Sequence, residues 1–349
     1  MRIAIKHKGL LIDEDGHVAG RDAGATLVRR LLRVFPGSQV IGPSVRHCDG
    51  FEMVPLEFVN GDDTVVINMD VIDSVGVWHT LHGISSEPRI MNFVWWSTSQ
   101  YTHRVQRAAL ALSCGLFPTF ANSEHTATEV QEIVASLTHR SIADKERIDW
   151  VNLGFRTEHV QPRQEPEVPV VLYPAIYLSD RKRPQLFIDV VKRVAKRTPI
   201  HVEARLHDAH LIREQAMDLS QHKWAWVGPL TATREGYWQA LSRTTAFLAT
   251  SAEESYGLEY VEALAAGAVG VFPDLPWAHE ILPVGYPFFY KTSREAEEML
   301  FRAVTDTAAC RAELDTIAGG DFAAWLNERH SDDQFDKAVV DAVERWFAS

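Results

Sequence analysis

The sequence predicts an α/β fold of two Rossmann-like units, and three observations carry that expectation. Short apolar runs alternate with amphipathic helical stretches in both halves, a pattern that packs as parallel strands with crossover helices on both faces. The chain has 349 residues, more than one ordinary domain and suited to two. A segment of mixed charge, residues 161–169, carries Pro162, Pro166 and Pro169 and has the composition of a linker. The boundary falls near residue 163. The expected units are 1–163 and 164–330, followed by a last helix over 331–349.

In the first half, residues 2–6 read as a strand and the Gly- and Asp-rich residues 8–25 as a long loop. Residues 25–35 have helical apolar spacing and stop at Pro36-Gly37. Residues 38–42 and 64–68 are further strands. Residues 90–97 follow Pro88 as a central strand whose carboxyl end carries Trp95, Trp96 and Ser97. Ser123 is placed to cap a helix.

In the second half, residues 168–174 open with a strand. The helix after Pro184 sets Leu186, Phe187, Val190, Val191 and Val194 on one face. Residues 201–206 and 224–228 are strands, a helix begins near Arg234, and residues 246–250 are the next strand. After Asp306 the pattern is helical to the end, and 334–347 is amphipathic.

Residues 251–267, Ser-Ala-Glu-Glu-Ser-Tyr-Gly-Leu-Glu-Tyr-Val-Glu-Ala-Leu-Ala-Ala-Gly, organise that half. A polar loop follows the buried strand, Gly257 allows a tight turn, and a helix runs from Leu258 to Ala266, closed by Gly267. A strand, a small-residue turn and a helix start leave unpaired N–H groups that favour an anion. Glu254 and Glu262 flank that start. Carboxylates repel phosphate, so they suit hydroxyl groups on either side of it, as a sugar and a ribose would provide. The basic run Arg181-Lys182-Arg183 at another helix start opposes the helix dipole and also favours a nearby anion.

Glu254-x7-Glu262, with Tyr-Gly-Leu after the first Glu and Ala-Leu-Ala-Ala-Gly after the second, resembles the retaining GT-B glycosyltransferases of family 4, which include sucrose and mannosyl transferases. Downstream, Val269 to Phe272 reads as the next strand, and Glu280-Ile281-Leu282 falls where those enzymes carry Glu-Ile-Val at a helix start; upstream, residues 117–125 resemble their strand that ends in Asn-Ser before a helix, and 151–156 resemble their strand and turn into the linker. The resemblance covers roughly residues 150–330 and implies a GT-B fold, two Rossmann-like domains facing each other across a cleft. It implies transfer of a sugar from a nucleotide-sugar donor to an acceptor, with retention at the anomeric carbon. Glu254 and Lys182 take the catalytic positions. Glu262 would hold the ribose, with Arg181 and the N–H groups of Tyr256, Gly257 and Leu258 on the diphosphate. The family's Arg would fall at Ile176 or Tyr177, so Arg181 or Arg183 would have to compensate. Trp95 and Trp96 stand where many relatives carry a His; they either stack on a sugar or fill the core. Gly24, in the glycine-bearing stretch 20–24, and Trp96 are candidates on the acceptor side. Two other readings stay open: an idle GT-B module that binds a sugar or a protein, and a sugar epimerase.

Composition narrows the partners. A net charge of −12 disfavours a nucleic-acid surface. No apolar run is long enough to span a membrane, and no signal peptide is evident. Cys48, Cys114 and Cys310 show no metal or redox spacing, which fits a reduced, cytoplasmic setting. The pairs His79/His82 and His207/His210 have helical spacing but no third ligand, so no metal and no cofactor is expected.

Overall fold

The computed structural model describes every residue except Arg21, Ala232 and Ser349. The chain divides into two compact units, Met1–Asn152 with Phe335–Ser349, and Leu153–Gln334.

The first unit is built on β1 (Arg2–Lys6), β2 (Gln39–Ile41), β3 (Arg46–His47), β4 (Glu52–Val54), β5 (Thr64–Asn68), β6 (Arg89–Val94), β7 (Thr119–Ala121) and β8 (Ile148–Trp150). They lie in the order β3-β4-β2-β1-β5-β6-β7-β8. The pairs are parallel except β3–β4, an antiparallel edge. Thr64 to Asn68 is buried along its whole length, which is why it reads as an unbroken Val-Val-Ile run with no alternation. The edge pair escapes sequence reading because two or three residues are too few to show a period.

The second unit holds β9 (Val170–Tyr173), β10 (His201–Leu206), β11 (Ala225–Pro229), β12 (Ala246–Leu248), β13 (Val269–Pro273) and β14 (Phe289–Tyr290), in the order β11-β10-β9-β12-β13-β14. All its pairs are parallel. The order reverses direction between β9 and β12. Crossovers then leave to opposite faces and open a crevice beyond the carboxyl ends of those two strands. In the first unit the same reversal falls between β1 and β5.

Residues 151–156 do not form the expected strand. Phe155 makes only an isolated bridge to Ser331, donating its N–H to the His330 carbonyl at 2.7 Å and accepting from the Asp332 N–H at 2.9 Å. Gly154 breaks the extension with φ +68°, and a Cβ there would stand 2.5 Å from the Ser331 carbonyl oxygen. Residues 161–169 lie inside the second unit. Arg163 ties them down by donating to the carbonyls of Thr244 and Ala266.

The last helix, Asp332–Phe347, begins in the second unit and from Phe335 onward belongs to the first. There the Phe335 ring packs 5.9 Å from Phe93 and 6.4 Å from Phe120, and the Arg30 guanidinium sits 4.0 Å above it. Among the described residues, no helix is long and apolar enough to cross a membrane.

Within the second unit, His330 is buried and its Nδ1 lies 2.8 Å from the Tyr256 hydroxyl, which also accepts from the Gly154 N–H at 3.2 Å. Burial, then the Arg329 charge, lowers the imidazole from 6.5 to about 4. The unfolded chain therefore takes this proton first as pH falls. The contribution to stability is full above pH 6.5 and is lost as pH falls toward 4, by about 3 kcal/mol at the acid end. Urea unfolding of the wild type and His330→Gln at pH 7 and pH 4.5 checks this: the wild type should lose more stability than the variant. Equal losses would show that His330 does not titrate between the two states.

Candidate functional site

The site is assembled at the strand-order reversal of the second unit. After β9 the chain makes a 3-10 turn, Asp180–Lys182, then passes through Arg183 into the Pro184–Ala195 helix. Arg183 has φ +45°, the one positive φ among described non-glycine residues. Pro184 disfavours the right-handed helical region for the residue before it, and a left-handed Arg costs about 1–2 kcal/mol. That strained corner starts the helix abruptly behind Lys182. After β12, residues 249–257 form a loop stitched to the first one. The Thr250 hydroxyl donates to the Lys182 carbonyl at 2.6 Å, and the Ala252 N–H donates to the Arg181 carbonyl at 2.8 Å.

Gly257 ends that loop and caps the Leu258–Ala265 helix. Its φ is +80°, and a Cβ would stand 2.6 Å from Cδ2 of Tyr260. Both facts require glycine. Gly267 closes the helix at φ +83°. Among the described residues, none accepts a hydrogen bond from the backbone N–H of Gly257 or Leu258.

Lys182 and Glu254, 72 positions apart in sequence, meet here. The Lys182 ammonium donates to the Glu254 carboxylate and to Glu259 at 2.8 Å. The Tyr260 hydroxyl donates to Glu254 at 2.9 Å and lies 2.8 Å from the Ser251 hydroxyl. Burial pulls the lysine toward the neutral form, but Glu259 and Glu254 outweigh it and raise its pKa, so it stays charged. Burial pushes the Glu254 carboxyl up, against the pull of Lys182 and with the push of Glu259. One ammonium thus serves two carboxylates. Arg181, more exposed, pairs with Glu253 at 3.1 Å.

Glu262 lies in a neighbouring arrangement. Its side chain is 4% exposed, and both oxygens are held: one by Arg234, the other by the Tyr237 hydroxyl at 2.8 Å. Burial, then the Glu262 charge, raises the Tyr237 pKa well above 10, so the phenol is a donor. Arg234 and Tyr237 belong to the Arg234–Ser242 helix that follows β11. Sequence reading passed over both, and over Glu259. The signal for Arg234 is the one that picks out Lys182: a cation in the first turn of a helix, against the dipole. Tyr256 turns its own side chain away, into the His330 contact.

The first-unit candidates stand elsewhere. Gly24 lies in the first turn of the Ala23–Val34 helix rather than in the loop before it, because Asp22 caps the helix by accepting from the Ala25 N–H at 2.9 Å. A Cβ on Gly24 would stand 2.4 Å from Nε2 of His7. Arg21, in the same stretch, lies outside the described residues. Trp96 is half-buried; its indole N–H donates to the Tyr101 hydroxyl at 2.8 Å, and its ring stacks on Trp95 at 4.9 Å. Sequence reading also missed a charged cluster at the β1/β5 reversal. Lys6 reaches Asp70 at 3.1 Å and Asp73 at 2.7 Å, and His7 stands beside Asp70 and edge-on to Trp95. Glu280 ends the Pro276–Glu280 helix instead of starting one, because Pro276 opens that helix earlier. Among the described residues, no cluster of three or more His, Cys, Asp or Glu side chains could hold a metal ion.

Replacing Gly257 tests the turn. Gly257→Ala must place a methyl group against the Tyr260 ring in a left-handed backbone, so urea unfolding should report a loss of about 1–3 kcal/mol. A variant as stable as the wild type would mean that the turn relaxes freely.

No protein-family model matches the sequence, and no curated protein matches it. Solved structures do. The chain superposes on trehalose-6-phosphate synthase OtsA with a TM-score of 0.71 at 13% identity, over 98% of this chain and 99% of the other. It superposes on sucrose-phosphate synthase from Thermosynechococcus elongatus with a TM-score of 0.71 at 11% identity, over the full length of both. It also superposes on Anabaena HepE, solved in complex with UDP, with a TM-score of 0.71 at 14% identity, over 99% and 100%. These structural neighbours are GT-B glycosyltransferases, and the fold of this chain is GT-B.

Proposed function

We propose that this protein is a retaining glycosyltransferase of the family 4 type. It moves a hexose from a nucleotide-sugar to an acceptor hydroxyl, with the donor on the second unit and the acceptor on the first. The observation that carries the reading is the meeting of Lys182 and Glu254 beside the unpaired N–H groups of Gly257 and Leu258, at the strand-order reversal of a Rossmann sheet. The fold shared with nucleotide-sugar enzymes supports it.

In the reaction, the bond from the anomeric carbon to the donor phosphate breaks, and the diphosphate leaves with the electron pair. The acceptor oxygen bonds to the same carbon, and its proton passes to the departing phosphate oxygen. The protein holds and stabilises; it supplies no base. Lys182, Arg181 and the two N–H groups would take up the charge that develops on the diphosphate. Glu254 would lie by the sugar ring as that ring gains positive charge. No metal is needed, because cationic side chains and backbone donors do its work, so EDTA should leave turnover intact. The chain is expected to work in the cytoplasm.

A second reading is an idle GT-B module. It is favoured by one fact: the Lys182 ammonium is already neutralised by two carboxylates.

A thermal-shift screen of UDP, GDP, ADP and their sugars, followed by turnover of the stabilising donor, decides between them. The glycosyltransferase reading expects stabilisation by at least one nucleotide-sugar and release of its nucleoside diphosphate. With that donor, Lys182→Ala should lower kcat/KM by about tenfold to a hundredfold, and Glu254→Gln should lower kcat more than it raises KM. Binding without turnover would leave the idle module; wild-type kinetics in both variants would remove the two residues from the chemistry.

A further inference from the structure

Glu259 and Glu262 stand three residues apart on one helix, and side chains at that spacing share a face with Cβ atoms about 5–6 Å apart. Glu259 holds Lys182, and Glu262 holds Arg234. Two cations from two different segments are therefore held by neighbouring carboxylates of the Leu258–Ala265 helix, which begins at the unpaired N–H groups of Gly257 and Leu258.

The two carboxylates do not do the same work. Each Glu262 oxygen already has a protein donor, Arg234 on one and Tyr237 on the other. Arg234 has much to spare. Its side chain is 48% exposed, and among the described residues its Nε and Nη1 donors have no hydrogen-bond partner. It also sits in the first turn of its own helix, where a cation is disfavoured unless an anion faces it. A buried carboxylate that holds a guanidinium with one oxygen and a neighbouring tyrosine hydroxyl with the other, and leaves two donors of that guanidinium open, is an anchor.

We infer that Arg234 is a second diphosphate-binding cation beside Lys182, and that Glu262 and Tyr237 are positioning residues that hold it, rather than Glu262 being a contact for the ribose. The inference rests on the donor reading above and deepens it. A planar fork reads two phosphate oxygens at once, which a lysine cannot do.

The test is isothermal titration of UDP, GDP and ADP, and of the matching monophosphates, into the full chain. It covers the wild type and the variants Arg234→Met, Arg234→Lys, Glu262→Gln and Arg234→Met/Glu262→Gln. For the diphosphate that binds the wild type, Arg234→Met should weaken binding about tenfold or more, and the preference for diphosphate over monophosphate should fall with it. Arg234→Lys keeps a cation on Glu262 and guards against misfolding; it should lose part of the affinity and part of that preference. Glu262→Gln should weaken the diphosphate in the same direction, and the double variant should be no worse than Arg234→Met. The 2′-deoxy form of the nucleotide should bind wild type and Glu262→Gln with the same ratio to its parent. The inference is overturned by wild-type diphosphate affinity in both Arg234 variants. It is overturned equally by losses that add in the double variant, or by a 2′-deoxy penalty that vanishes in Glu262→Gln. A wild type that binds none of the three diphosphates removes the donor reading itself, and this inference with it.

Discussion

The buried ammonium of Lys182 is the interaction on which the second unit's site depends. It is fixed by Glu254 from one loop and Glu259 from a helix, and both carboxylates are carried by the chain after β12. Largely burying the Lys182 and Glu254 charges would be costly without mutual pairing and further hydrogen bonds. Tyr260 donates to Glu254, Ser251 holds the Tyr260 hydroxyl, and Thr250 fixes the Lys182 backbone. One cation against two carboxylates leaves the cluster with an excess of negative charge. Burial pushes Glu254 up and the Glu259 charge adds to it, while Lys182, facing two carboxylates, stays charged. That pairing also means that an arriving anion must draw Lys182 away from partners it already has.

Strand order places that cluster. In both units the sheet reverses direction beside its first strand, between β1 and β5 and between β9 and β12. In both, charged side chains gather beyond the carboxyl ends: Lys6, His7, Asp70 and Asp73 in the first, Lys182, Glu254 and Glu259 in the second. Parallel strands with both faces covered have apolar interiors, so polar chemistry has room only at their ends. The two clusters differ in what they leave open. Lys6 is spent on two aspartates, whereas the second unit adds the half-open guanidinium of Arg234.

Much of this was legible in the sequence. The run 201–206 coincides with β10, Ser123 caps its helix through the Thr126 N–H, and Gly257 and Gly267 stand at the two ends of the helix they were expected to bound. Those features rest on local rules: apolar periodicity, a capping oxygen, a residue that tolerates positive φ. The β3–β4 edge, the loss of the strand over 151–156 and the helix that ends at Glu280 were not legible. Their determinants are short or distant: a two-residue strand, a glycine pressed under the backbone of residues 330 and 331, a proline that moves a helix start.

The sequence alone determined the α/β class, the two-unit plan and the pair of glutamates around a glycine turn, because each is written in neighbouring residues. Only the tertiary structure decided which partner each charge takes. Glu254 and Lys182 are 72 positions apart and Glu262 and Arg234 are 28 apart, and side chains separated by that much chain are paired by strand order alone. The pattern of residues could name the carboxylates, but it could not show that both oxygens of Glu262 already have protein donors, since hydrogen-bond partners are a property of the packed fold.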